Sequence, residues 1–448
     1  MIARLSRDQV LALAPDASSQ KAAQGVAAPG KWSSRGATGT VLYGECKGSG
    51  ATPYLACVDL TEPAYRCSCP SRKFPCKHAL GLLLMWSGDG VPEAAAAPQW
   101  VTEWLESRAE RAAKAAARLE AARANGNDDA GVSGEQDVAG SGRPGVDGTE
   151  RAGASRPESV RHARVAAGLA ELERWLADQV RQGLAGAGEP EWEGLAKRLI
   201  DAQAPGVAGV VSRLARVRAE DDWPGRLLEE YAMINLLAVA YRRRAELPAT
   251  LAETVLIRAG FPVTREEVLA GPVVRDQWDV LGSRDEAQDR LTARRVWLRA
   301  RRTGRPALIL SFAPQGQPLD ASLVTGTTID ADVTFYPGAA PLRALVAARN
   351  GTVPATVPPG VSPEEALDEV AGALSGDPWT ESWPLVLAGV VPERTSLGGL
   401  PLHPRCRDPW RLIAVSGGHP LTVAAEWTPQ GLRPLTTWDD EGTAVILR

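Results

Sequence analysis

The residues best suited to chemistry sit close together near the N-terminus. They read Cys67-Ser-Cys69, then six residues, then Cys76-Lys-His78. On a strand, residues i and i+2 point to the same face, so Cys67 and Cys69 can aim both sulfurs at one point. Cys76 and His78 open an apolar, proline-free stretch, 76–87, whose composition predicts a short buried helix. Pro70 and Pro75 stiffen the loop between the two pairs and lower the entropy lost on closing it. Three thiolates and one imidazole complete a tetrahedral donor set for one zinc ion. With four protein ligands no position is left for water, so the ion is expected to be structural rather than catalytic. A redox role fits poorly, because Cys-x-Cys lacks the two-residue spacer of thioredoxin-like motifs.

These residues need elements to hold them. Residues 1–30 predict two short helices, with Ser6 capping the first and Pro15 breaking it. Val41, Tyr43 and Glu45 alternate, a Gly- and Ser-rich turn follows, and Tyr54, Ala56 and Val58 alternate again. That is a hairpin, followed by a third short strand, Ala64 to Cys69. Cys46 and Cys57 flank the hairpin loop and are placed to face each other. Without further ligands nearby they read as buried thiols.

Cys-x-Cys, a spacer and Cys-x-His, set after a hairpin and before a helix, resemble the SWIM-type zinc finger. The stretch Tyr65 to Leu84 is similar to long, multidomain bacterial members of that family. The resemblance implies zinc held by Cys67, Cys69, Cys76 and His78 in a ββα finger. It also implies a DNA-binding or protein-interaction role. Bacterial members are often encoded beside MoxR-type AAA ATPases and von Willebrand A-domain proteins, so the resemblance implies such partners too.

Charge bears on the choice. The whole chain of 448 residues has a formal net charge of −4, so any nucleic-acid contact needs a local patch. Arg66, Arg72, Lys73 and Lys77 supply one, with no acid between 63 and 82. With Phe74 they are the candidate contacts for nucleic acid or a partner. The plainer reading is that the cations balance the anionic zinc–thiolate centre and Phe74 folds back over it.

Further along, 91–124 predicts an extended helix, with Trp100 and Trp104 on one face and a solvated arm beyond Trp104. Residues 125–158 are rich in Gly, Asp, Ser and Pro and read as a disordered acidic linker. Val165, Leu169, Leu172, Leu176 and Val180 keep helical period and open a bundle over 159–260. Beyond 265 the period falls to two, which predicts a β-rich region, 265–448, divisible at 265–350 and 375–448. Asp377-Pro-Trp379 and Asp408-Pro-Trp410 each precede an apolar run read as a strand, a weak internal duplication.

The resulting expectation is an α+β multidomain protein: a finger module over 1–90, a central bundle and a β-rich C-terminal region. Trp379, Trp383, Trp410, Trp427 and Trp438 read as core packing more readily than as stacking platforms. The run Arg242 to Arg244 ends an apolar helix and complements its dipole. His403, Cys406 and His419 are too loosely spaced for a second metal site. No phosphate-binding loop, dinucleotide fingerprint or His-Glu-x-x-His motif is present, and four His leave few general bases. The chain is therefore read as non-enzymatic, without a small-molecule substrate. No run approaches the ~18 apolar residues of a membrane span. No apolar leader precedes Asp8, so a cytoplasmic protein is expected.

Overall fold

The computed structural model describes residues 4–127 and 156–447, apart from 49, 51, 72, 221, 289, 290, 316, 318, 407 and 408. The fold is α+β. Helix α1 (Arg7–Ala12) starts at Ser6, whose side chain accepts from the Gln9 amide while the Gln9 side chain accepts from the Ser6 amide. Asp16 caps α2 (Ala17–Val26). Strands β1 (Trp32–Ala37), β2 (Val41–Cys46), β3 (Tyr54–Asp59) and β4 (Ala64–Cys67) follow as an antiparallel sheet in chain order. Strand β1 was not foreseen, because Trp-Ser-Ser-Arg-Gly-Ala carries no alternation of large apolar residues.

Helix α3 (Lys77–Ser87) lies on one face of this sheet, buried from His78 through Trp86. Helix α4 (Gln99–Asn127) lies on the other, where Val101, Trp100, Trp104 and Leu105 pack with Tyr43 and Cys57. Arg108 of α4 also donates to Asp59 at 2.7 Å. The docked turns thus reach Arg108, one turn past Trp104, where the solvated arm was expected to begin. Cys46 pairs with Tyr54, and Cys57 pairs with Tyr43. The two cysteines lie in different cores on opposite faces, so the expected facing pair does not form.

Residues 125–127 still belong to α4, and 156–158 already belong to α5 (Arg156–Gln182). The expected linker loses those ends; 128–155 lie outside the described residues. Helices α6 (Glu189–Asp201), α7 (Pro205–Val217), α8 (Trp223–Arg242) and α9 (Ala249–Ala259) complete the bundle with α5. Pro190, Pro205 and Pro224 sit in first turns, where the missing amide costs nothing. Its core includes Leu172, Trp192, Leu195 and Tyr231. Val180, predicted to join the buried stripe, is exposed. A Cβ at Gly206 would stand 2.2 Å from the Arg258 carbonyl, so only glycine lets α7 approach α9 this closely. At the end of α8, Arg242 pairs with Glu173 and Arg243 with Glu246.

After α10 (Arg265–Ala270), strands β5 (Val273–Gln288), β6 (Leu291–Ala300), β7 (Pro306–Pro314), β8 (Thr328–Phe335) and β9 (Arg343–Val353) close a barrel in the order β5-β6-β7-β9-β8. Among the described barrel strands, β7 and β9 pair in parallel and the other neighbours antiparallel. Helix α11 (Pro363–Gly376) is capped by Ser362 with Glu365. Strands β10 (Trp383–Val390), the short hairpin β11 (Ser396–Leu397) and β12 (Leu400–Pro401), helix α12 (Pro409–Ser416), and strands β13 (Leu421–Thr428), β14 (Gly431–Trp438) and β15 (Ala444–Ile446) complete the chain. Their main sheet runs β10-β13-β14-β15 and shares a core with the barrel through Trp297, Val386 and Trp438.

The duplication around the two Asp-Pro-Trp triplets is overturned. The first precedes strand β10, whereas Pro409 and Trp410 begin helix α12, and Asp408 lies outside the described residues. Trp383 and Trp438 are buried and Trp379 and Trp427 half-buried, but Trp410 is exposed, against the packing expected of it.

The units touch. Gln9 donates to the Thr325 carbonyl at 3.0 Å, and Ala321 and Val324 join the finger's core. Trp379 donates to the Met233 carbonyl in α8 at 3.0 Å, and Arg258 of α9 donates to Asp377 at 2.6 Å. No helix among the described residues is long and apolar enough to cross a membrane.

Candidate metal centre

Strand β4 ends on Cys67. Cys69 lies just beyond it, so the expected strand over both cysteines is one ladder step shorter. Ser68 extends the pairing instead: its amide donates to the Leu55 carbonyl at 3.0 Å, and its hydroxyl accepts from the Leu55 amide at 2.9 Å. That bond pair holds the chain on course while it turns Cys69 inward. Cys76 is the residue before α3, in extended backbone, and His78 is the second residue of the helix. The Cys76 carbonyl starts the helix by accepting from Leu80.

The four side chains converge. One ligand atom from each of Cys67, Cys69, Cys76 and His78 lies within 4.8 Å of all the others. Cys67 Sγ is 3.6 Å from His78 Nδ1. A tetrahedral zinc with ordinary bond lengths would separate a sulfur and a nitrogen ligand by about 3.6 Å, so the spacing fits. Cys76 and His78 are buried, while Cys67 and Cys69 are half-buried. Tyr54 of β3 stacks on the His78 ring, centroids 4.9 Å apart, which fixes the ring plane.

Electrostatics favour a cation here. Cys76 holds its proton weakly: the Cys67 thiol donates to it, and His78 and the first amides of α3 assist against the cost of burial. The bond to Cys76, burial and Cys76's charge push the Cys67 thiol up. Burial is the main cause that raises Cys69. A divalent ion would displace these protons and remove the competition. The cluster is compatible with a single structural zinc, which would tie β4 to α3. Among the described residues no other group of three or more His, Cys, Asp or Glu converges in this way.

The candidate contacts divide. Arg66 is exposed and pairs in register with Cys57, which puts it on the sheet face that carries α4, away from the thiols. Lys73 is exposed but bound to Asp16 at 2.7 Å. That bond, with the Ser19 amide, holds the Asp16 carboxyl below its usual range. Phe74 is half-buried, packs on the finger core and meets Tyr65 edge-on at 5.9 Å. Lys77 is exposed on the first turn of α3. Arg72 lies outside the described residues. Sequence reasoning missed Tyr54 and Asp16. Asp16 is legible as a helix cap, but nothing local announces its pairing with Lys73.

His403, of the thin C-terminal cluster, accepts from the Arg405 amide at 2.9 Å and lies 2.6 Å from Arg433. Burial and these cations push its pKa down to about 4.

Fold and cluster together define a zinc-finger protein with an attached helical bundle. Residues 57–87 match the family model of the SWIM zinc finger, and residues 160–259 match that of the SWIM-associated four-helix bundle domain. The two matches are consistent with a SWIM-type zinc finger protein. No curated protein and no solved structure matches it.

Proposed function

We propose that the chain is a non-catalytic interaction protein whose finger, organised by zinc, engages a protein partner rather than nucleic acid. The dispersal of the finger's cations carries this reading. Phosphate binding gains from several cations acting on one strip of backbone. Here Arg66 lies on the far face, Lys73 is neutralised by Asp16, and Lys77 alone of the described three is exposed beside the cluster and unpaired. The net charge of −4 adds no general attraction to polyanions. The bundle and the β-rich region supply further surface for assembly. MoxR-type AAA ATPases and von Willebrand A-domain proteins are the partners that the family resemblance suggests.

The test is affinity purification of the full chain from its native host, with and without nuclease. Partner proteins that survive nuclease support the reading. Loss of all bound material, together with DNA or RNA binding that falls steeply with salt, overturns it in favour of nucleic acid.

A further inference from the structure

Helix α8 carries apolar residues on every side. Leu227, Ile234 and Tyr241 point into the bundle core. The Met233 carbonyl accepts from Trp379, which places a second side of the helix against the C-terminal region. On the side left over, Leu228, Ala232 and Leu236 follow one another at i, i+4 spacing. All three are exposed, Leu228 at 48% and Leu236 at 42%. A surface helix of a soluble domain normally carries polar residues there.

Helix α5 extends this patch. It runs antiparallel to α8, since His162 bonds Tyr241 at 2.8 Å and Trp175 meets Tyr231 edge-on at 5.7 Å. At 3.6 residues per turn, Val180 stands about five turns beyond His162, on the same side of α5, which is the side turned to α8. It is 55% exposed and level with the start of α8, where Leu228 lies. Apolar residues scattered singly over a surface need no explanation, but these three share one patch.

The charges along α8 say what covers it. Asp222, just before the helix, is exposed and forms no ion pair among the described residues. Arg243, just after it, is exposed and held only to Glu246, an exposed pair that contributes little and exchanges readily. A second α8 laid antiparallel across the first, with Ala232 at the crossing, satisfies both ends. Leu228 and Leu236 each lie four residues from Ala232, so Leu228 of each copy meets Leu236 of the other. Asp222 lies ten residues before Ala232 and Arg243 eleven after, so each Asp222 comes level with Arg243 of the other copy. One two-fold axis makes every contact twice. We infer that α8 packs antiparallel on α8 of a second copy, so that the chain forms a symmetric dimer through its bundle. This goes beyond the role proposed for the finger and does not depend on it.

Sedimentation velocity of the full zinc-loaded chain, from micromolar to submillimolar concentration, is the test. A patch of this size predicts a dimer that dissociates on dilution. Leu236→Glu should weaken it about 100-fold or more, because each copy then presses a carboxylate onto an apolar neighbour. Asp222→Arg should weaken it about 2- to 30-fold, the range of two exposed ion pairs, and Asp222→Arg with Arg243→Asp should restore it. All three positions are exposed, so circular dichroism should show the helices intact in each variant. A chain that stays monomeric, a dimer untouched by Leu236→Glu or by Asp222→Arg, or a double exchange that fails to restore association would overturn the inference. So would a monomer that holds a different protein through Leu236.

Discussion

Cys76→Ser isolates the metal from the rest of the finger. Serine is a favoured residue before a helix, so the start of α3 is preserved while a thiolate ligand is lost. Structural zinc contributes roughly 10–16 kcal/mol in small fingers, or about 2.5–4 kcal/mol for each of four ligands shared evenly. A domain's whole stability is about 5–15 kcal/mol, so the loss is a large fraction of it. The helix hit hardest is α3, buried from His78 to Trp86 and joined to β4 through the cluster. Hydrogen exchange with mass spectrometry should show the opening free energy of β4 and α3 falling by about 2.5–4 kcal/mol, with the bundle core around Trp192 and Tyr231 unchanged. Atomic absorption should find one zinc per wild-type chain and less in the variant. Cys57→Ser is the control, since Cys57 lies on the other face and should leave zinc content intact. A Cys76→Ser protein that keeps one zinc per chain, with unaltered protection of α3, would refute the four-ligand assignment.

Three further outcomes follow from other parts of the chain. His403, with its folded pKa held at about 4, stays neutral while an unfolded imidazole takes a proton below about 6.5. Stability should therefore fall as pH drops from about 6.5 to 4, by up to about 3 kcal/mol, and acid titration of His403→Gln should lack that loss. Glu426 is fully buried, bonded to Arg284 through both oxygens and within 3.7 Å of Arg295 and Arg433. Glu426→Gln leaves three cations to share Glu286, which is 2.9 Å from Arg284 and 4.0 Å from Arg295, and should cost about 3 kcal/mol in denaturant unfolding of the C-terminal region. The Cys57 thiol is pushed up to about 12 by burial, so it should resist alkylation in the folded chain and react only on unfolding, as peptide mapping would show.

What the sequence disclosed was mostly local. Four ligand-type side chains within twelve positions announce a metal site whatever surrounds them. The cap at Ser6 acts within a few residues and is legible for the same reason. The misses depend on distant partners. Strand β1 forms because β2 offers an edge, not because its own residues alternate. Helix α4 docks because Tyr43 and Cys57 face it. The cations looked like one patch because they are close in sequence, but strand alternation sends Arg66 to the opposite face from Cys67. The second Asp-Pro-Trp misled because proline opens a helix as readily as it precedes a strand.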